Sequence, residues 1–550
     1  MQKLIFSLLT TFAMFAVVFS SVALAEPPSD LFNAERASGN DDLKHPLGEK
    51  RRALRQQALQ AKLTGSASSR ASGRVREVAK GQYVELERTG EDLIWTVTAN
   101  FGDQEGWPPA LTGGQPGPQH NQIPEPDRTL DNTTLWVSDF NRDYYMETLF
   151  AEGEGVISMR NFYIEQSSNR YTVDGDVTDW AQVPYRTAVY GRFDSTVWWF
   201  VDDSVDDWYA SKVLEGWTQA DFEEYLGKFD VWDRYDYDGD GNFDEPDGYI
   251  DHFQSVHAGM GQEAGGGSYG ADAIWSHRWY AYFNLIGSDG PSFNLAGGVQ
   301  IGETGYWIGD YTIEPENGGV GVFSHEFAHD HGLPDLYNTD GDGGNSVGFW
   351  SLMASGSWLS QDPENIGSAP GHMGAWEKFQ LGWLNYEVAF AGSKSEHKLG
   401  PAETNTKQAQ GLFVVLPDKL VVEEIAAPYA GDYFYYSGSG NNLDNWMVKA
   451  FNLAAGSTLT AKANVQIEVD WDYAYLVVSN DGGVNWTNIE TSLSTNFDPN
   501  GQNFGFGITG NSGGWADLTA DLSAFASLRP YSCAGCGRFD IARRYSSAGE

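Results

Sequence analysis

Apolar and polar positions along the 550-residue chain change texture three times. Leu4 to Val18 form a short apolar run, preceded by Lys3 and followed by Ala23-Leu24-Ala25. A charged start, an apolar middle and a small-x-small exit describe a secretory signal over residues 1–25. The run is too short to favour a membrane anchor, and no second long apolar run follows, so a soluble exported protein is expected. Asp41 to Leu63 is rich in Lys, Arg, Gln, Ala and Leu and predicts a helix, after which Thr64 to Arg74 reads as a loose hinge. From about Tyr83 the pattern turns to strands (Tyr83–Leu86, Leu93–Val97) and then to a long Gly/Pro/Asn/Asp-rich region with aromatic clusters such as Tyr144-Tyr145 and Trp198-Trp199-Phe200. Helical spacing is sparse until Val320–His331 and His372–Leu381. Beyond about Ser393 strands and turns dominate: Gly411–Leu416, Ser457–Val469, Ala474–Ser479 and the turn Asn480-Asp481-Gly482-Gly483. The pattern predicts an α+β domain with long loops over 83–392 and a separate all-β sandwich over 393–550, with 26–82 as a leader.

Charge divides the chain at the same place. The first 80 residues carry 12 Lys/Arg against 7 Asp/Glu, leaving 22 basic against 69 acidic in 81–550, a net −47 there out of −42 overall. A body so acidic repels nucleic acid and anionic membrane, which excludes both as partners. A basic leader before it fits a pro-segment held by electrostatics until proteolysis near the hinge, although a solvated helix with a linker has the same composition. The two cysteines, Cys533 and Cys536, stand at the far C-terminus, so no disulfide framework staples the body. Calcium bound by carboxylates is the expected substitute.

The candidate chemistry lies in His325-Glu326-Phe327-Ala328-His329-Asp330-His331-Gly332-Leu333-Pro334-Asp335. Histidines four apart on a helix stand one turn above each other and can grip one zinc ion. Glu326, about 100° round the helix, can reach a water activated there but not ligate beside both imidazoles, so it is the expected general base. With 10 His in 550 residues, His-Glu-x-x-His arises by chance on the order of 0.01 times. A catalytic zinc usually has three protein ligands. Gly332 can end the helix and Pro334 prevents its resumption, so the chain turns back and offers Asp335. Glu377, on the later helix, and His331 are rivals for the third position.

Asp236-Tyr237-Asp238-Gly239-Asp240-Gly241-Asn242-Phe243-Asp244-Glu245-Pro246-Asp247 follows the spacing of a calcium loop. Asp236, Asp238, Asp240, Asn242, Asp244 and Asp247 are its expected ligands. Asp in place of Glu at the last position, Pro246 before it and no evident flanking helix pair point to a structural role, not a sensing one.

From the motif His325–Asp335 continued by Leu336-Tyr337, together with Trp350-Ser351-Leu352-Met353-Ala354-Ser355-Gly356-Ser357-Trp358, the chain resembles the immune inhibitor A-type metallopeptidases, secreted bacterial enzymes related to the metzincins. Gln119-His120-Asn121, Ser158–Tyr163, Val256–Gly259, Trp275-Ser276-His277 and Leu381–Leu384 match as well, and the likeness runs from about 85 to 500. It implies a zincin-type catalytic domain, a jelly-roll-like C-terminal sandwich, Met353 as the methionine turn beneath the metal, structural calcium, latency through the chain's own propeptide, and broad proteolysis of extracellular proteins by a monomer. Leu528–Glu550 departs from the family and reads as lacking further strands. The sequence thus points to a secreted zinc endopeptidase. A catalytically silent calcium-dependent binding protein and a zinc hydrolase of non-peptide substrates are the alternatives.

Overall fold

The computed structural model describes residues 41–65, 73–79, 81–106, 111–339, 344–361, 365–417 and most of 419–544 outside 440–444, 480–484, 499–501 and 526–536. The signal segment and both cysteines lie outside the described residues. Helix α1, Pro46–Thr64, starts five residues later than the composition suggests, because Pro46 occupies its first turn and the stretch before it is extended. Gly65, at φ 70, closes it. A hairpin of β1 (Val75–Ala79) and β2 (Gln82–Glu85) then joins leader to body.

The body is built on a six-stranded sheet. β3 (Gly90–Asn100) pairs in parallel with β4 (Tyr171–Val177) on one side and β5 (Phe253–His257) on the other, and the short strand Ala181–Gln182 lies beside the end of β3. β5 is followed outward by β7 (Asp310–Pro315), also parallel, and β6 (His277–Tyr280) closes the edge antiparallel to β7. Alternation along β3 sends Trp95, Val97 and Ala99 into one core and Ile94 into another. The first core is completed by α5 (Val197–Glu215) and α6 (Gln219–Leu226), the second by α2 (Arg142–Phe150), α3 (Met159–Gln166) and α7 (Val320–Asp330). Helix α4 (Thr187–Gly191) precedes α5.

Helices are therefore far from sparse before Val320. In α5 the buried set Val197, Trp198, Phe200, Val201, Ser204, Val205 and Trp208 does follow a helical stripe, but aromatic and β-branched residues with high strand propensity write it. The later helix expected at His372–Leu381 is a short one, α8 (Ala375–Gln380).

Downstream the chain is β-rich. β8 (Tyr386–Phe390) and β9 (Gly411–Val415) form a parallel pair. A four-stranded sheet has the order β10 (Asn445–Phe451), β15 (Gly537–Arg544), β12 (Tyr473–Ser479), β13 (Thr487–Asn488), and β11 (Thr458–Ile467) pairs antiparallel with β14 (Gly510–Asp521). Leu476 and Val478 of β12 share a core with Ala520 of β14, so the two sheets face each other. Gly537–Arg544, expected to lack a strand, runs between β10 and β12. Its Phe539-Asp540-Ile541 alternation is a strand pattern that the unusual residues before it obscure.

Candidate metal centre

Helix α7 presents His325 and His329 from one face, as their spacing requires. Each imidazole is oriented from behind: His325 Nδ1 is 2.8 Å from the Leu352 carbonyl oxygen and His329 Nδ1 is 2.7 Å from that of Leu333. With Nδ1–H donating, both Nε2 atoms are left as acceptors, and they face each other at 3.0 Å. Two nitrogens about 2.1 Å from a shared tetrahedral ion would be about 3.4 Å apart, close to that separation.

The chain reverses after the helix as Gly332 and Pro334 suggest. Gly332 adopts φ 92, its N–H bonds to the His329 carbonyl, and Leu333 N–H bonds to that of Ala328. Asp335 is thereby carried back to the histidines, with Oδ1 3.5 Å from His325 Nε2 and 3.3 Å from His329 Nε2. Both Asp335 oxygens are buried without a hydrogen-bond partner. An ionised carboxylate left in that state is costly, and a divalent cation on the two imidazoles would satisfy it. The donor set, two neutral imidazoles and a carboxylate, suits zinc.

A fourth group completes the cluster, and no spacing rule indicated it. Asp41, five residues before α1, sets Oδ1 3.2 Å from His329 Nε2 and Oδ2 3.4 Å from His325 Nε2. It is held there by backbone pairing with the edge strand β6: Arg278 N–H donates to Asp41 O at 2.7 Å and Leu43 N–H to Arg278 O at 3.0 Å. The leader extends the sheet at that edge for a few residues, running parallel to β6. Around this strap, Arg52 pairs with Asp42 at 2.6 Å, Trp279 Nε1–H donates to the Lys44 carbonyl at 3.0 Å, and Arg55 donates to the carbonyls of Glu85 and Gln380. His45 is buried, stacked on Tyr280 with centroids 5.0 Å apart. Burial, then the Arg278 and Arg234 guanidiniums, hold its imidazole well below the usual range.

Glu326 is buried on the same helix, and its Oε2 has no hydrogen-bond partner. Burial, and after it the Asp41 carboxylate, raise its carboxyl well above the usual range. Glu326 and His325 line one cleft with Asp41, Glu263, Trp275, Tyr337 and Trp358.

Met353 is fully buried in the core under α7, and its carbonyl accepts from Leu336 N–H at 2.7 Å. The turn around it therefore supports the ligand loop on one side and His325, through Leu352 O, on the other. The two rivals for the third ligand position are placed elsewhere. Glu377 on α8 accepts a short hydrogen bond from Ser351 Oγ, bracing the Met353 turn. His331 lies beyond the shared face, its Nε2 2.9 Å from Tyr171 Oη. The helix is anchored at its end by Asp330, which pairs with Arg234 at 2.5 Å and with His252 Nδ1 at 2.5 Å, while His252 stands 3.4 Å from Asp92.

The Asp236–Asp247 segment divides in two. Asp236, Asp238 and Asp240 bring carboxylate oxygens within 4.8 Å of one another, and Asp233, Asp238 and Glu245 form an overlapping group. Asp236 takes φ 52 and accepts from Gly241 N–H at 2.8 Å, which closes the turn. Asn242 bonds to Glu245 at 2.6 Å. Asp244 turns outward to the Arg74 guanidinium at 2.5 Å, and buried Asp247 faces Asp230 and Asp233, with burial first and those carboxylates next raising its carboxyl. Neither joins the triplet. The first three carboxylates of the spacing lie together, while Asp233 before the loop and the competing Arg74 come from outside it.

With the geometry in place, comparison with known proteins is decisive. The family model for the immune inhibitor A peptidase M6 catalytic domain matches residues 80–384, more than half of the chain. The chain belongs to the immune inhibitor A peptidase family. The model for the immune inhibitor A-like MAM domain matches residues 395–529 of the β-rich part. The chain is 35% identical over 431 residues to the pre-pro-metalloprotease PrtV of Vibrio cholerae serotype O1, covering 72% of this chain and 43% of that protein. Immune inhibitor A of Bacillus thuringiensis subsp. alesti is 34% identical over 425 residues, covering 71% and 57%. The chain spans about half the length of these relatives. Among the described residues no helix is long and apolar enough to cross a membrane.

Proposed function

We propose that this member of the M6 family is an exported, zinc-dependent endopeptidase of extracellular proteins, with a zincin-type catalytic domain, a jelly-roll-like second domain and a pro-segment that keeps it latent. The convergence of His325, His329 and Asp335, with the Glu326 carboxyl and its unpartnered Oε2 beside them, carries this reading. These three residues would hold zinc, which when bound supplies Lewis acidity toward the scissile carbonyl and makes a nearby water easier to deprotonate. Glu326 takes a proton from the attacking water and delivers it to the departing amine, so one carboxylate serves as base and then as acid. The raised affinity of Glu326 for a proton suits the second step, while departure of the neighbouring Asp41 would lower it for the first.

Latency follows from the same cluster. Asp41 stands on the side of the two imidazoles that substrate must reach, and its pairing with β6 occupies the sheet edge on which an extended peptide would add as a strand. Removal of the segment by proteolysis beyond α1 frees both.

The test is hydrolysis of casein by the full chain after limited proteolytic activation. Activity is expected to disappear with o-phenanthroline and to return on adding zinc, with about one zinc per active chain. Casein hydrolysis that persists when metal analysis shows no zinc would sink the proposal.

Calcium is proposed at the Asp236, Asp238 and Asp240 triplet, with Asp233 and Glu245 adjoining. Like charges this close repel one another without a cation, so calcium removal at constant zinc is expected to lower the thermal midpoint by several degrees. Differential scanning calorimetry of wild type and Asp238→Ala checks it: the variant should be insensitive to calcium, and an equal calcium response in both would count against this site.

A further inference from the structure

The pro-segment carboxylate also reports where a substrate oxygen goes. Its two oxygens stand 3.2 Å and 3.4 Å from the two converging Nε2 atoms. With His325, His329 and Asp335 on the remaining sides, that is the direction left open to water and substrate once the segment has gone. A protein donor already reaches into it: the Tyr337 hydroxyl donates to Asp41 Oδ2 at 2.9 Å. Tyr337 follows Asp335 by two residues on the loop whose Leu336 N–H is tied to the Met353 carbonyl at 2.7 Å, so the backbone that positions the carboxylate ligand also positions the phenol. It lines the cleft together with Glu326 and His325.

The geometry points to Tyr337 as a further catalytic residue: with Asp41 displaced, its hydroxyl donates a hydrogen bond to the scissile carbonyl oxygen as that oxygen becomes an oxyanion. Asp41 is then a stand-in for the transition state, offering a negatively charged oxygen to the donor that peptide hydrolysis needs. This inference rests on the peptidase reading above. In the step concerned, a water oxygen bonds to the carbonyl carbon, the π pair of the C=O bond moves onto oxygen, and Glu326 takes the water's proton. When the tetrahedral species collapses, the C=O bond re-forms, the C–N bond breaks, and the amine receives its proton from Glu326. Tyr337 keeps its own proton throughout and acts only by donating a hydrogen bond, strongest when the oxygen carries full charge. A neutral donor aimed at the charged state favours the transition state over the bound substrate, so its contribution belongs in kcat.

The experiment compares wild type with Tyr337→Phe in the full chain after limited proteolytic activation, with a fluorogenic peptide as substrate. Loss of one preorganised oxyanion donor is expected to lower kcat about 100-fold with KM changed less than about threefold. A readout independent of turnover accompanies it. A phosphinic peptide, whose tetrahedral anion presents oxygen to the same place, should bind the variant about 10- to 100-fold more weakly, whereas a thiol peptide of the same sequence should bind both proteins alike. A kcat within about threefold of wild type, or an equal loss for both inhibitors, overturns the assignment. If the phenylalanine variant misfolds or loses zinc, 4-fluorophenylalanine placed at 337 fills the space of the hydroxyl but cannot donate. kcat must then fall about 100-fold with zinc retained, and a kcat within about threefold of wild type overturns the assignment. Wild type that cleaves no peptide defeats the peptidase reading itself, whereas active wild type with a fully active Tyr337→Phe defeats this inference alone.

Discussion

Glu326→Ala in the activated chain is expected to lower kcat by about 10³- to 10⁴-fold, at the upper end of what a positioned general base contributes. Two features make the expected effect this large. Glu326 is buried, and its Oε2 lacks a hydrogen-bond partner, so that oxygen is left for a water to approach. It also stands next to His325 on α7, and no other carboxylate of the cleft is fixed by the same helix: Asp335 belongs to the metal cluster and Glu263 is engaged by Ser276 at 2.8 Å. Folding should not suffer. Alanine is the best helix former, and deleting a buried carboxyl with an unsatisfied oxygen removes a desolvation cost. Steady-state hydrolysis of a fluorogenic peptide, metal analysis and calorimetry on the same sample separate the possibilities: a variant with full zinc, an unchanged midpoint and kcat within tenfold of wild type would remove Glu326 from its role.

Asp41→Ala in the intact, unprocessed chain is expected to raise basal peptidase activity by about two to four orders of magnitude. The Asp41 carboxylate takes one hydrogen bond from Tyr337 and points at the cation that the two imidazoles would hold, and contacts to a charged group are worth about 1.5–3 kcal/mol each. Losing two of them shifts the closed-to-open ratio by about 10²- to 10⁴-fold. The rest of the segment should stay docked, because Arg52, Arg55, His45 and the backbone pairing with β6 do not depend on the Asp41 side chain. Hydrolysis of a small peptide by unprocessed Asp41→Ala, beside unprocessed and activated wild type, is the measurement. If the unprocessed variant is as silent as unprocessed wild type, strand pairing alone imposes latency and the carboxylate is dispensable.

How much of this was legible in advance can be judged residue by residue. His325 and His329 were fixed by a four-residue spacing on one helix, because helical geometry is local and leaves no freedom to place them otherwise. Asp335 was reachable with one more step, since Gly332 and Pro334 carry the turn in their own backbone preferences. Glu377 and Asp335 could not be separated on sequence, as both are carboxylates at reachable distance; the Ser351 hydroxyl claims Glu377 from a loop that only folding brings near. In the Asp236–Asp247 loop, Asp236, Asp238 and Asp240 are set by their alternation around tight turns, but Asp244 is drawn off by Arg74, 170 residues earlier. The helices before Val320 were written in Trp, Phe and Val, whose helical stripe competes with their preference for strands.

What the sequence determined by itself is therefore what local geometry enforces: the helix that sets two imidazoles on one face with a carboxylate next to them, its C-terminal turn, the acidic turn, and the division between a basic leader and an acidic body. What only the tertiary structure decided is which distant groups arrive there. Asp41 lies 284 residues before His325 in sequence, as the numbering gives, and reaches the imidazoles because its backbone finds the free hydrogen-bonding edge of β6. No periodicity or spacing encodes such a meeting, since it depends on long-range strand pairing and on the burial that follows it, and so the catalytic motif could be read along the chain while the group that covers it could not.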